Sequence, residues 1–237
     1  MNETRRIIVP VVLDLAVPSA SGIEVFSLRL EADDSVLNLL RKRLSRSELH
    51  RADTYASAID RNRFIIRRAV LREQLSLRCG LPMHRIVFQY SEFGKPYLAS
   101  PDTSLVFNCS HSGNIAIIAI SRKVDCLGVD VEQIRFLADM EDAMETVFSY
   151  EEIQKINRVS TDRKPEMFFT LWTRKEAYLK ALGSGLSTPP KTCRISVSEA
   201  RHPTILKPVP GDSRQWELRH IHFEKIYVGT LVFPSSS

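Results

Sequence analysis

The sequence predicts an α+β fold, arranged as a pseudo-dimer of two similar α+β halves. Three observations predict it. The 237 residues suffice for one large domain or two small ones. Short stretches that read as strands are mixed with a few helical ones. The chain also matches itself. Phe64…Leu77-x-x-Gly80-Leu81 aligns with Phe169…Leu182-x-x-Gly185-Leu186 at an offset of 105. Ser91-Glu92-x-x-x-Pro96 aligns with Ser198-Glu199-x-x-x-Pro203 at 107, and His111-x-x-x-Ile115 with His222-x-x-x-Ile226 at 111. Each match is weak alone; their shared order at a nearly constant offset carries the inference. The offset is too long for a solenoid. It describes two lobes, residues 1–107 and 108–237, with a ligand cleft where they meet.

The elements follow in chain order. Ile23 to Leu30 alternates as a strand. Ser35 to Leu49 is helical, as is Arg63 to Leu77, which ends before Gly80. Ile86 to Tyr90 is a short strand, and Glu92 to Pro96 is a turn, because Gly94 and Pro96 break both periodicities. Leu105–Phe107 and Ile115–Ile120 flank a polar hairpin turn, Asn108 to Asn114. Leu127 to Val131 is strand-like and Met140 to Phe148 helical. Ser149, with Glu151 and Glu152 behind it, starts another helix. Met167 to Leu182 is the strongest helix, with Phe168, Leu171, Trp172, Tyr178, Leu179 and Leu182 on one stripe. Gly183, Gly185 and Pro189-Pro190 end it. Strands then run over 194–197, 216–223 and 226–233.

Composition excludes several classes. With 43% hydrophobic and 26% charged residues the chain reads as a soluble globular protein, not a disordered, collagenous or coiled-coil one. The densest apolar run, Ile115 to Ile120, is far short of the roughly 20 residues a membrane span needs. Cys79, Cys109, Cys126 and Cys193 form no CxxC pair, which argues against a disulfide framework or zinc site and for a reducing, cytoplasmic setting. Arg5-Arg6 and the apolar stretch after them imitate a secretory signal, but Pro10 and Asp14 interrupt it. The net charge is +5, and ten basic residues from Arg41 to Arg72 supply the excess. Such a stretch suits nucleic acid, phosphorylated ligands or an acidic protein, or is simply a solvated helix face.

Three elements concentrate chemistry. In Gly128-Val129-Asp130-Val131-Glu132, strand alternation projects Asp130 and Glu132 together while the valines face the core. Paired carboxylates repel unless a cation or proton lies between them, and Mg²⁺ suits such oxygen ligands. On the helix around Trp172 to Lys180, Glu176 and Lys180 are four apart and share a face at the rim of the apolar stripe. Alone they would be an ordinary surface pair. In Phe107-Asn108-Cys109-Ser110-His111-Ser112-Gly113, a polar turn offers hydroxyls, an imidazole and N–H groups to an anion. At the 105 offset Val25, Ser27 and Leu71 stand opposite Asp130, Glu132 and Glu176, so the acids occur in one copy and the first half's basic residues are its natural contribution.

Together these elements resemble the 4′-phosphopantetheinyl transferases of the Sfp type. Phe93-Gly94-Lys95-Pro96 resembles that family's Gly-Lys-Pro turn, and Phe107 to Gly113 its Phe-Asn-x-Ser-His-x-Gly segment. Gly128 to Glu132 resembles its Gly-Val/Ile-Asp-Val/Ile-Glu segment, and Phe148-Ser149-Tyr150-Glu151-Glu152 its Phe-Ser-x-x-Glu. The run from Trp172 to Leu186 resembles its Trp-x-x-Lys-Glu-(Ala/Ser)-x-x-Lys-x-x-Gly-x-Gly-Leu helix. The resemblance covers about Arg51 to Ser187 and implies a monomeric pseudo-dimer. It implies transfer of phosphopantetheine from coenzyme A to a serine of an apo acyl or peptidyl carrier protein, releasing adenosine 3′,5′-bisphosphate, with no nucleic-acid or membrane partner. By the same resemblance Asp130, Glu132 and Glu176 hold Mg²⁺, or Mn²⁺ in its place, and Glu176 is also the general base. Lys180 stabilises the leaving group, and Arg51, Lys95, Ser110, His111, Asp130 and Lys180 contact coenzyme A. Glu48 departs from a position that is basic in some members. The rival readings are a basic docking module without chemistry and a Mg²⁺-dependent nucleotide hydrolase.

Overall fold

The computed structural model describes residues 11–12, 21–99, 104–197, 203–222 and 226–235. The signal-like N-terminal stretch, apart from Val11 and Val12, and the Ser198–Glu199 repeat match lie outside them. The first part of the chain contains β1 (Val11–Val12), β2 (Glu24–Arg29), α1 (Asp34–Arg41), α2 (Arg46–Asp53), α3 (Ala58–Cys79), β3 (Phe88–Tyr90), β4 (Pro96–Leu98), β5 (Val106–Ser112) and β6 (Ile115–Ser121). The second contains β7 (Gly128–Gln133), α4 (Met140–Val147), α5 (Tyr150–Ile156), α6 (Lys164–Leu182), β8 (Arg194–Ile195), β9 (Ile205–Lys207), β10 (Trp216–His222) and β11 (Tyr227–Pro234). The mixture of long helices with small antiparallel sheets makes the chain α+β, as expected.

One sheet runs β1-β2-β6-β5 and another β7-β11-β10, all antiparallel. Leaving β1 aside, each sheet places its first strand at one edge, its last in the middle and the intervening strand beyond it. α3 packs with α1 and α2 over one face of the first sheet, and α6 lies against β7 and β11 of the second. The division expected after residue 107 falls inside β5, which pairs with β6 along its whole length. The first sheet extends to Ser121.

β6 is buried at all seven positions. Ala116, Ile118 and Ile120 face the core beneath α3, whereas Ile115, Ile117 and Ala119 face a second core. That second core is the seam between the sheets, where Val25 and Ile117 meet Val129, Val131, Leu231 and Phe233. A strand covered on both sides reads as a continuous apolar run rather than an alternating one.

Two expectations are corrected here. The helix expected over 35–49 is two helices, because Ser45 and Glu48 form a capping box that starts α2 afresh. The polar turn expected over 108–114 is mostly strand: β5 continues to Ser112, and only Gly113 and Asn114 turn the chain. Its alternate polar side chains form hydrogen bonds across the seam instead of meeting water.

Candidate active site

The site is built where β5, β7 and α6 converge, and the seam's polar rungs set its geometry. Asn108 Oδ1 accepts the Val129 N–H at 3.0 Å. Ser110 Oγ donates to Asp130 Oδ1 at 2.7 Å, and Ser112 Oγ donates to Glu132 Oε2 at 2.7 Å. Residues 108, 110 and 112 thus meet 129, 130 and 132 in step, with Val129 and Val131 turned into the apolar seam. The face assignment expected for Asp130 and Glu132 holds in the structure.

β7 approaches α6 unusually closely. A Cβ on Gly128 would lie 2.0 Å from the Ala177 carbonyl oxygen and 2.4 Å from the Ala181 nitrogen. Only glycine permits that contact, and it brings the Asp130 carboxylate under Lys180. Lys180 Nζ donates to Asp130 Oδ1 at 2.6 Å and to Ser110 Oγ at 3.2 Å. Lys180 is thus held in an ion pair running from helix to strand rather than in a surface pair with Glu176. Burial lowers the Lys180 pKa, but the Asp130 charge and hydrogen bond, with Glu176 behind them, overcome this and leave it raised.

Glu176 is only 9% exposed. Burial pushes its pKa up; Lys180 opposes the rise, and Asp130 and Glu132 add to it. α6 is buried on nearly all sides rather than along one stripe. Its polar residues are matched inside: Lys175 pairs with Glu152 at 2.8 Å and donates to the Pro190 and Cys193 carbonyls, and Thr173 bonds Thr230. Lys175 is thus a structural member of the motif, and Glu176 and Lys180 face the cleft.

Among the described residues, no three acids, histidines or cysteines converge as a ready-made metal cluster. Asp130 Oδ2 and Glu176 Oε1 are nevertheless buried and have no hydrogen-bond partner among the described residues. Such atoms are costly to bury and suit a hard cation. Glu132 is held by Ser112 and, at 3.3 Å, by Arg135. A cavity of about 220 Å³ opens beside these groups, lined by Phe93, Lys95, Asn108 and Cys109 from the first part and by Glu176, Lys180 and Gly183 from the second.

The remaining expected residues are placed differently. Lys95 points its ammonium at carbonyl oxygens, 2.6 Å from that of Lys180, 3.2 Å from that of Leu127 and 3.4 Å from that of Ala181. It pins the 91–96 turn to the C-terminal end of α6, and burial lowers its pKa. Arg51 sits near the end of α2 over the Phe64 ring, within electrostatic reach of Arg67. His111 lies on the opposite face of β5 from Ser110, and its Nδ1 is 2.6 Å from Arg67 Nη1. Glu48 is buried against Arg72 at 3.2 Å and Arg68 at 3.7 Å, so the acid at that position holds the helices together. Arg63, Arg67 and Asn108 were not singled out as site residues from the sequence. The signal for the two arginines was their spacing of four on one helix, which puts them on a common face.

A two-sheet α+β chain with buried acids, a paired lysine and a basic helix around one cleft has the layout of an enzyme acting on an anionic substrate. Comparison with known proteins makes this specific. Residues 126–232 match the 4′-phosphopantetheinyl transferase superfamily and residues 31–123 match the 4′-phosphopantetheinyl transferase N-terminal model. The 4′-phosphopantetheinyl transferase HetI of a Nostoc species is 31% identical over 202 residues, covering 81% of this chain and 84% of the relative. The 4′-phosphopantetheinyl transferase gsp of Aneurinibacillus migulanus is 31% identical over 159 residues, 67% of this chain and 64% of the relative. AcpT of Escherichia coli K12, also a 4′-phosphopantetheinyl transferase, is 38% identical over 123 residues, 52% of this chain and 58% of the relative. The chain belongs to the 4′-phosphopantetheinyl transferase superfamily. It is an enzyme of the type that transfers phosphopantetheine to carrier proteins, which excludes the rival docking module as its primary role.

Proposed function

We propose that the chain moves 4′-phosphopantetheine from coenzyme A to a serine of an apo acyl or peptidyl carrier protein and releases adenosine 3′,5′-bisphosphate. The observation that carries this reading is the Asp130–Lys180 pair beside two unpartnered buried carboxylate oxygens, on the wall of a cleft shared by both parts of the chain.

The residues derive the steps. Glu176, made more basic by burial, accepts the serine proton as the serine oxygen bonds to the phosphorus that bears pantetheine. The bond from that phosphorus to the bridging oxygen breaks, and its electron pair leaves with adenosine 3′,5′-bisphosphate. The Lys180 ammonium, already oriented by Asp130 and Ser110, neutralises charge gathering on the departing oxygen. Arg51 and His111 face the phosphates of the donor, and Lys95 holds the cleft wall on which they act. Asp130, Glu132 and Glu176 would hold Mg²⁺, or Mn²⁺ in its place, with phosphate oxygens and waters completing its coordination. Such a cation neutralises the pyrophosphate when bound.

The test mixes the chain with coenzyme A, either cation and several apo carrier proteins, and reads the intact mass of each carrier. A phosphopantetheine adduct on the carrier serine is expected. Consumption of coenzyme A without an adduct would instead establish a hydrolase.

A further inference from the structure

The contact between α3 and β5 has a chemical consequence for His111. Arg67 Nη1 lies 2.6 Å from His111 Nδ1. Guanidinium has donors and no acceptors, so the arginine must donate and Nδ1 must accept. An imidazole whose Nδ1 accepts a hydrogen bond is neutral and carries its proton on Nε2. The charged groups around the ring reinforce this. From α3 it faces Arg67 and Arg63 with Asp60 behind them, and the charge of Lys180 reaches it from the other side of β5. Three cations against one anion oppose a second proton on the ring. Lost hydration and then Arg67 push its pKa down to about 4. The residue still keeps an exposed edge through which a ligand could be met.

We propose that Arg67 is a positioning residue that fixes His111 as its neutral Nε2–H tautomer. His111 then offers the anionic donor a directed hydrogen bond whose strength does not vary across the neutral pH range. The part concerning the donor rests on the proposed function; the tautomer does not. Ser110 and Lys180, on the other side of β5, hold the pair's neighbours in place through Asp130. Arg67 itself is supplied by a helix of the first half.

The experiment records ¹⁵N–¹H correlations of the histidine rings in the free chain, with His111 assigned from the spectrum of His111→Gln. In the unsubstituted chain His111 should show the Nε2–H tautomer and no titration between pH 5.5 and 8. In Arg67→Met the ring should titrate with a midpoint moved up toward the ordinary 6.5 or so. Arg67→Lys, which keeps the charge, should restore most of the non-titrating behaviour. The ratio of coenzyme A dissociation constants, Arg67→Met over unsubstituted, should fall several-fold from pH 8 to pH 5.5, because the freed ring gains a charge. Titration of the phosphates cancels in that ratio. A titrating or Nδ1–H ring in the unsubstituted chain would overturn the proposal without any variant being needed. A ratio flat with pH would overturn the link to the donor. Coenzyme A binding to neither protein would overturn the functional reading, a result the tautomer measurement does not depend on.

Discussion

Glu176 shows how this site separates stability from chemistry at a single residue. Its carboxylate is buried, beside two other acids, with one oxygen unpartnered. Its folded-state pKa is raised, so the folded chain holds the proton more tightly than the unfolded chain does. That contribution to stability is present at acid pH and is lost as pH rises through the raised value. In chelator, Glu176→Gln should therefore melt above the unsubstituted chain at neutral pH, and the gap should close toward pH 4. Transfer should meanwhile fall about 10²–10⁴-fold, the usual worth of a general base. The same proton gives activity an acid limb above the ordinary glutamate range. A Gln variant that melts lower at pH 7.5 would overturn the stability argument, and one that transfers at full rate would remove Glu176 as the base. Lys180→Ala tests the leaving-group role. Its kcat should drop more than its coenzyme A affinity, as measured by single-turnover rates beside equilibrium binding.

At the scale of elements, the decisive contact is the approach of β7 to α6 at Gly128. Gly128→Ala places a methyl group against helix backbone, where no side chain can swing aside. Overpacking of this kind costs about 1–3 kcal/mol, and here it also lifts Lys180 from Asp130. Thermal melts should show the loss, and transfer should fall with it. A neutral Gly128→Ala would mean the two elements slide freely. The sequence made much of this legible. The Gly-x-Asp-x-Glu pattern announced two acids on one face, and Glu176 and Lys180 announced a shared helix face. What it could not announce was partnership. The nearest cation to Asp130 lies fifty residues away on α6, and Lys95 spends its charge on helix carbonyls. The arginine-rich stretch was equally ambiguous. Arg43, Arg68 and Arg72 are used up by Glu73 and Glu48, while Arg63 and Arg67 turn toward β5. The polar run from Asn108 looked like a turn because strand polarity ordinarily means solvent. Here it means a neighbouring strand with carboxylates to bond.

For the whole molecule, the seam decides whether the two sheets behave as one body. Val25, Ile117 and Ala119 from the first are at most 1% exposed, as are Val129, Val131, Leu231 and Phe233 from the second. Neither sheet could expose that face to water without a large hydrophobic penalty. The chain should then unfold in one calorimetric transition, with equal van't Hoff and calorimetric enthalpies. Ile117→Ala at the seam should cost about 2–5 kcal/mol. Each kcal/mol should lower Tm by roughly 2–4 °C at this chain length. Leu71→Ala, in the core beneath α3, and Leu171→Ala, in the core beneath the second sheet, should lower that same transition. Two resolved transitions, with Leu71→Ala moving one and Leu171→Ala the other, would show the sheets to be independent. The cleft could not then rely on the seam for its geometry, because Ser110 and Asp130 stand on opposite sides of it. A single transition moved by all three substitutions ties the placement of Asp130 under Lys180 to the stability of the entire chain.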